Sequence, residues 1–124
     1  MRLAIAAAEF SEDPHKKVWA CVLRHDNSVG WIGWNWAPTW VDIDWSDREA
    51  RRPKVIHSEA NALRYIRPWE AKSIACTLLP CRSCIALIAS YWIKTIYYLE
   101  EYKRDMIAHE LCKEFNLELI CLWW

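Results

Sequence analysis

The sequence predicts an α/β fold, a three-layer α/β/α sandwich around a central mixed sheet of about five strands. Three observations lead there. The chain has 124 residues, 54% of them hydrophobic, which is the commonest size for one compact domain and enough apolar material for its own core. Val18–Leu23 and Val29–Trp36 are strand-like apolar runs, and Asp26-Asn27-Ser28 between them is turn chemistry, so the two form an antiparallel hairpin. Beyond residue 57 helical and strand patterns alternate, which implies right-handed crossovers and parallel strands covered on both faces. Residues 1–124 read as a single domain, without repeat, linker or low-complexity segment.

The remaining elements follow in order. Residues 2–10 are Ala-rich and read as a helix that stops at Ser11-Glu12-Asp13-Pro14, because proline cannot donate the next helical hydrogen bond. From Ala37 to Val55 the periodicity fails, and Pro38, Pro53 and a cluster of charges mark a long loop of the kind that carries function in compact domains. A helix from Ser58 to about Ile66, a strand over Ser73–Leu78 and a helix opening at Cys81 come next. A strand over Ile93–Leu99, a helix over roughly Arg104–Phe115 and a strand over Leu117–Leu122 complete the chain.

Composition narrows the function. Sixteen Lys+Arg balance sixteen Asp+Glu, which argues against a long polyanion as partner, since nucleic-acid affinity comes from cations displacing counterions. A small anionic ligand remains open. No apolar run approaches the roughly 20 residues that a membrane helix needs. Glu9, Glu12 and Asp13 stand where a signal peptide would carry its small-residue cleavage site, so no export signal is expected. Of the six Cys, Cys21, Cys76 and Cys121 sit in apolar strand-like runs and Cys81 and Cys84 in one Pro-Cys-x-x-Cys element, which fits a reducing cytoplasm and metal chemistry better than disulfides. The ten Trp set against two Gly are hard to bury in a monomer of this size, and a homo-oligomer is expected.

One constellation carries chemistry. His57-Ser58-Glu59 opens one helix and Pro80-Cys81-Arg82-Ser83-Cys84 opens another, and a crossover brings both helix starts to the same sheet edge. Cysteines three apart in a first helical turn face one ion, and the helix terminus favours the thiolate. One imidazole and two thiolates suit Zn²⁺ and leave a fourth position for water. Such a water is acidified towards neutral pH and can attack an electrophilic ring carbon. Glu59, two positions after His57, is placed to take the water proton and return it to the ring nitrogen and the departing ammonia. His-x-Glu followed by Pro-Cys-x-x-Cys is an established signature of zinc nucleobase deaminases. The alternative is a structural zinc closed by Cys76, Cys112 or His109. Otherwise Cys76, Cys112 and Cys121 read as buried small hydrophobes, and His15, His25 and His109 as solvated side chains.

With those residues placed, the chain resembles the cytidine and deoxycytidylate deaminase superfamily, and within it the short phage-type deoxycytidylate deaminases. The likeness runs through Ser11-Glu12-Asp13-Pro14 into Lys17-Val18, Gly33-Trp34-Asn35 with Pro38 after it, and His57-Ser58-Glu59-Ala60-Asn61-Ala62. It continues through Thr77-Leu78-Leu79-Pro80-Cys81-Arg82-Ser83-Cys84 and Ile93-Lys94-Thr95-Ile96-Tyr97-Tyr98-Leu99. The resemblance implies the cytidine deaminase fold and hydrolytic deamination of dCMP to dUMP, which supplies thymidylate synthesis. It implies one catalytic zinc held by His57, Cys81 and Cys84, Glu59 as proton shuttle, Asn35 on the sugar, and Asn61 as a subfamily marker counted with the substrate-binding residues. It further implies a cytoplasmic homo-oligomer, often a hexamer, in some relatives activated by dCTP and inhibited by dTTP.

For the 5′-phosphate, Arg48, Arg51, Arg52 and Lys54 stand in the long loop, where bidentate Arg contacts suit a dianion. Trp45 and Tyr102 are candidates for packing on the base or sugar, or for anchoring their loops. The chain departs from its relatives where Trp19, Trp36 and Trp92 stand at positions usually small, and where Ala75 replaces a common Tyr. A Trp at position 92 costs roughly 1–2 kcal/mol if the backbone there is left-handed. Two other readings stay open: a deaminase of bases in single-stranded RNA, DNA or tRNA that stacks them on Trp, and a zinc-stabilised interaction module without catalysis.

Overall fold

The computed structural model describes Met1 and residues 18–35, 57–101 and 106–122. Within these, β1 (Trp19–Arg24), β2 (Val29–Trp34), β3 (Ala71–Leu78), β4 (Thr95–Glu100) and β5 (Glu118–Cys121) form one sheet. Three helices accompany it: α1 (Ser58–Leu63), α2 (Arg82–Ser90) and α3 (Met106–Glu114). The helix expected over residues 2–10, the long loop over 37–55 and Trp36 lie outside the described residues. Among the described residues no helix is long and apolar enough to cross a membrane.

The strand order is β2-β1-β3-β4-β5. The expected hairpin is present, with β1 antiparallel to β2, and its turn is built by Asp26, whose Oδ1 accepts from the Ser28 amide at 2.9 Å and hydroxyl at 2.6 Å. Asn27 takes the left-handed conformation there, φ 68°, which its short polar side chain tolerates. β1 is also antiparallel to β3, whereas β3, β4 and β5 run parallel through the α2 and α3 crossovers. The sheet is therefore mixed, and its antiparallel part extends one pairing beyond the hairpin.

All three helices contribute to one core. Ala62, Leu63, Ile85, Ile88, Ala108 and Cys112 meet the sheet face that presents Ala20, Val22, Ile74, Cys76 and Ile96. Ile74, Ile85, Ile88 and Ile96 are fully buried, and each contributes about 1.5–3 kcal/mol by leaving water. The opposite face carries a second, smaller cluster in which Trp19 and Cys21 pack with Met1, Leu23, Ile32 and Trp34. Trp19 is fully buried there, and its indole Nε1 has no hydrogen-bond partner among the described residues.

The turn after α2 keeps its left-handed form although Trp92 occupies it. Its φ is 62° and its amide donates to the Ala89 carbonyl at 3.0 Å, the helix-closing position usually given to Gly. The strain is partly offset by stacking on Trp69, itself at φ 72°, with ring centroids 4.2 Å apart and planes 11° from parallel. The expected strand therefore begins two residues late, at Thr95, while Ile93 still buries its side chain in the core. α3 ends the same way, with Asn116 at φ 61° and the Leu117 amide donating to the Cys112 carbonyl.

One contact seats α1 on the sheet. A Cβ added to Gly33 would lie 2.3 Å from the Ala62 nitrogen, 2.7 Å from the Ser58 carbonyl oxygen and 2.8 Å from the Ala62 Cα. These are backbone atoms and cannot rotate away, so β2 and α1 touch main chain to main chain. At Gly30 the nearest atom is the flexible Ile66 Cδ1 at 2.9 Å. Gly33→Ala should destabilise the protein by about 3 kcal/mol or more and Gly30→Ala by about 1 kcal/mol, as read by urea denaturation. Equal losses would show that the helix can shift outward.

Candidate functional site

Both ligand-bearing helices start at the edge where β3 ends. β3 finishes at Leu78, the Leu79 amide donates to the Glu100 carbonyl at 2.8 Å, and the buried Pro80 delivers the chain to α2. Cys81 caps α2 with extended backbone, φ −72° and ψ 170°, and makes no side-chain cap bond. His57 caps α1 likewise, φ −66° and ψ 151°, again without a side-chain cap bond. Neither side chain is spent on its own helix, and both turn towards the other helix.

His57, Cys81 and Cys84 converge, with their ligand atoms all within 4.8 Å of one another. His57 Nδ1 lies 3.5 Å from Cys81 Sγ and 3.3 Å from Cys84 Sγ. A tetrahedral zinc with nitrogen at ~2.0–2.1 Å and sulfur at ~2.3 Å needs nitrogen and sulfur about 3.6 Å apart. The three donors therefore fit a zinc ion in both chemistry and span. His57 and Cys81 are exposed while Cys84 is buried, so the cluster opens outward.

The electrostatics match a site built for a cation. The Cys84 thiol hydrogen-bonds to Cys81, and together with the His57 ring and the Ser83 hydroxyl, 3.2 Å from Cys81 Sγ, it holds the Cys81 thiol down at about 3. Cys84 is pushed up for the complementary reason: it supplies that hydrogen bond, it is buried, and Glu59 lies beside it. One proton thus serves two sulfurs, and a divalent ion bound here would replace it. Glu59 is 4% exposed, and burial raises its carboxyl above the usual range against the opposing hydrogen bond from Cys84. The Ser58 hydroxyl donates to Glu59 Oε1 at 3.3 Å. A carboxylate that is buried, bonded on one side and adjacent to a sulfur of the His/Cys/Cys cluster suits proton transfer.

Asn35 follows β2 and is buried. Its Oδ1 accepts from the Val18 amide at 3.1 Å, and its own amide donates to the Val18 carbonyl at 3.0 Å. Asn61, one turn beyond His57, donates from Nδ2 to the Trp34 carbonyl at 3.0 Å. Trp45, Arg48 and Tyr102, and with them Arg51, Arg52 and Lys54, lie outside the described residues.

The closed structural zinc site does not form among the described residues. Cys76 is fully buried and its thiol is pushed well up by burial, with Glu59 and Cys21 adding to it. Cys112 belongs to the core. His109, expected to be solvated, is instead half-buried, with Nε2 on Glu101 Oε1 at 2.8 Å. Sequence reasoning missed the partners of the site: Ser58 beside Glu59, Ser83 beside Cys81, and the Asn61 bond to Trp34. Small polar residues next to a motif were the only available signal.

Comparison with known proteins agrees with this geometry. The family model described as "Cytidine and deoxycytidylate deaminase zinc-binding region" matches residues 1–100. The chain is 29% identical over 115 residues to deoxycytidylate deaminase of Homo sapiens, an alignment covering 85% of this chain and 65% of that protein. It is 28% identical over 122 residues to a probable deoxycytidylate deaminase of Caenorhabditis elegans, covering 92% and 61%. The chain thus spans slightly less than two thirds of these curated relatives. Among solved structures it is similar to dCMP deaminase from the cyanophage S-TIM5 in complex with dCMP and dUMP, with a TM-score of 0.81 and 25% identity over 98% of this chain and 92% of that one.

Two outcomes follow from the charges. In metal-free protein, Cys81 should react with iodoacetamide at a rate nearly flat from pH 8 to pH 5, since a thiol held at about 3 stays ionised throughout, and zinc should block the reaction. A Cys81 rate falling about tenfold per pH unit, as for an ordinary thiol, would contradict the hydrogen-bonded thiolate. Because the folded pKa of Glu59 lies above its unfolded value, stability is full below the unfolded pKa and is lost as pH rises towards the folded one. Glu59→Gln should therefore raise the Tm of metal-free protein at pH 8 relative to the parent chain, with no gain at pH 4. Thermal melts at the two pH values check this.

Proposed function

Because the chain belongs to the cytidine and deoxycytidylate deaminase family, we propose that it hydrolyses dCMP to dUMP and ammonia with one zinc ion held by His57, Cys81 and Cys84. The observation that carries this reading is the convergence of those three side chains beside a buried carboxylate. The likeness to the cyanophage enzyme solved with dCMP and dUMP supports the choice of nucleotide.

When bound, zinc supplies a Lewis acid that lowers the pKa of water to about 7. Glu59 takes a first proton from the attacking water at its carboxylate and gives it to the ring nitrogen, then takes the second proton from the same oxygen and gives it to the amine, which leaves as ammonia, so that water supplies both protons. Ser58 keeps one carboxylate oxygen oriented for that transfer. Asn35, fixed by its two bonds to Val18, hydrogen-bonds the sugar. Arg48, with Arg51, Arg52 and Lys54, meets the phosphate, while Trp45 and Tyr102 pack on the base and sugar. Asn61 belongs to the same wall of the site.

The domain, assembly and location belong to the same reading. Residues 1–124 act as one deaminase domain in the cytoplasm, and the exposed Trp31, Trp69 and Trp92 support a homo-oligomer, as large as a hexamer, with dCTP and dTTP as effectors.

The test is a nucleotide panel on zinc-loaded protein, comparing dCMP with CMP, deoxycytidine, dCTP and a short single-stranded oligonucleotide by loss of cytosine absorbance. dCMP should be turned over best, and removal of zinc by a chelator should abolish the reaction reversibly. If every nucleotide is unchanged, the reading fails; if only the oligonucleotide reacts, the substrate is a nucleic acid. Glu59→Gln should lower kcat by at least about 10³ while one zinc per chain is retained by elemental analysis.

A further inference from the structure

We infer that Asn61 is a positioning residue for Asn35, acting through the Trp34 carbonyl and not by touching the nucleotide. The inference rests on the reading above that Asn35 meets the substrate. Among the described residues β2 is an edge strand with β1 as its one neighbour, so the bonds of its outer side come from outside this sheet. At Trp34, the last residue of β2, the bond comes from Asn61 Nδ2 at 3.0 Å, and Asn61 is 9% exposed. Asn61 is itself held, because its amide donates to the His57 carbonyl at 3.0 Å as the first turn of α1 closes.

The clamp is tight because Gly33, one residue before Trp34, lies in backbone contact with Ala62, one residue after Asn61. The strand end and the helix are thus joined at two adjacent points, one steric and one a hydrogen bond. On its other side the chain is tied to Val18, which takes both the Oδ1 and the amide of Asn35. With Oδ1 engaged, the Asn35 amide nitrogen has one direction in which to point. The same turn of α1 that starts at the metal ligand His57 therefore sets where Asn35 stands. Only an amide at position 61 serves: a carboxylate has the same shape but no donor, and would set an anion against the Trp34 carbonyl.

The test compares the zinc-loaded parent chain with Asn61→Asp, Asn61→Ala, Asn35→Ala and the double variant Asn35→Ala/Asn61→Ala. Two readouts are taken: kcat and KM for dCMP, and hydrogen exchange at individual amides by NMR. The Asn61 variants should exchange at least tenfold faster at Asn35, with Ile85 in α2 unchanged, and should lose about 10- to 100-fold in kcat/KM. The double variant should be within about twofold of Asn35→Ala alone, because the clamp has nothing left to position. Multiplying losses, or a lost kcat/KM with unchanged exchange at Asn35, would overturn the inference and put Asn61 on the nucleotide. If Asn61→Asp fails to fold, Asn61→Ala, which introduces no charge, decides. Exchange needs no turnover: accelerated exchange in a parent chain inert on dCMP would reject the proposed reaction and leave the clamp standing.

Discussion

The backbone of β2 and the backbone of α1 occupy space that no side chain can enter, and the site is arranged around that contact. Gly33 allows it, and its consequences run in two directions along the chain. Towards the N-terminus of α1 it sets the height of His57 against Cys81 and Cys84, whose positions are fixed separately by β3 and α2. Along β2 it sets Asn35, two residues on. A displaced α1 would move the His57 imidazole and the Glu59 carboxylate together, because both lie at its start. The His57/Cys81/Cys84 cluster and Asn35 therefore share one mechanical reference.

On that frame the charges are balanced to favour an ion. Burial opposes ionisation of Glu59 and Cys84, while hydrogen bonds make Cys81 a thiolate at neutral pH. A divalent cation reverses the first effect and exploits the second, so binding of metal and release of the shared thiol proton are coupled. Cys76, buried behind Glu59, stays a thiol and keeps that side of the carboxylate free of a second anion. This arrangement distinguishes the six cysteines by environment alone: two serve the cluster and the others pack as apolar or weakly polar groups.

Much of this was legible in the residue order. The hairpin, the alternating helices and strands and the three-residue Cys spacing are local patterns, and right-handed crossovers bring the two helix starts together wherever such patterns occur. The late start of β4 shows the limit of periodicity: Ile93 is apolar and buried, yet Trp92 at positive φ delays the straight chain. What stayed hidden depends on how side chains meet once the chain has folded. Trp69 carried no signal of its own, and its role as the stacking partner of Trp92 exists only once β3 and the turn after α2 are adjacent. His109 sits among charges and reads as solvent-facing until Glu101, just past the end of β4, meets it. Ser58 and Asn61 lie inside the motif, but their bonds to Glu59 and Trp34 are geometric facts that no residue type announces.

The contacts that build the site span modest distances along the chain: 27 residues from His57 to Cys84, 27 from Trp34 to Asn61 and 17 from Val18 to Asn35. The pairing that joins β1 to the β3 side is longer, 58 residues from Trp19 to Thr77. Two of these three spans, 34–61 and 57–84, are short closed loops that share α1, set inside a sheet whose central pairing has higher contact order. Lengthening a loop adds little to the entropy of closing it, about 0.6 kcal/mol per doubling, so the long pairing costs this fold little in stability. Its burden falls on the rate of folding, and α1, common to both short loops, is the segment through which early closure of one favours closure of the other.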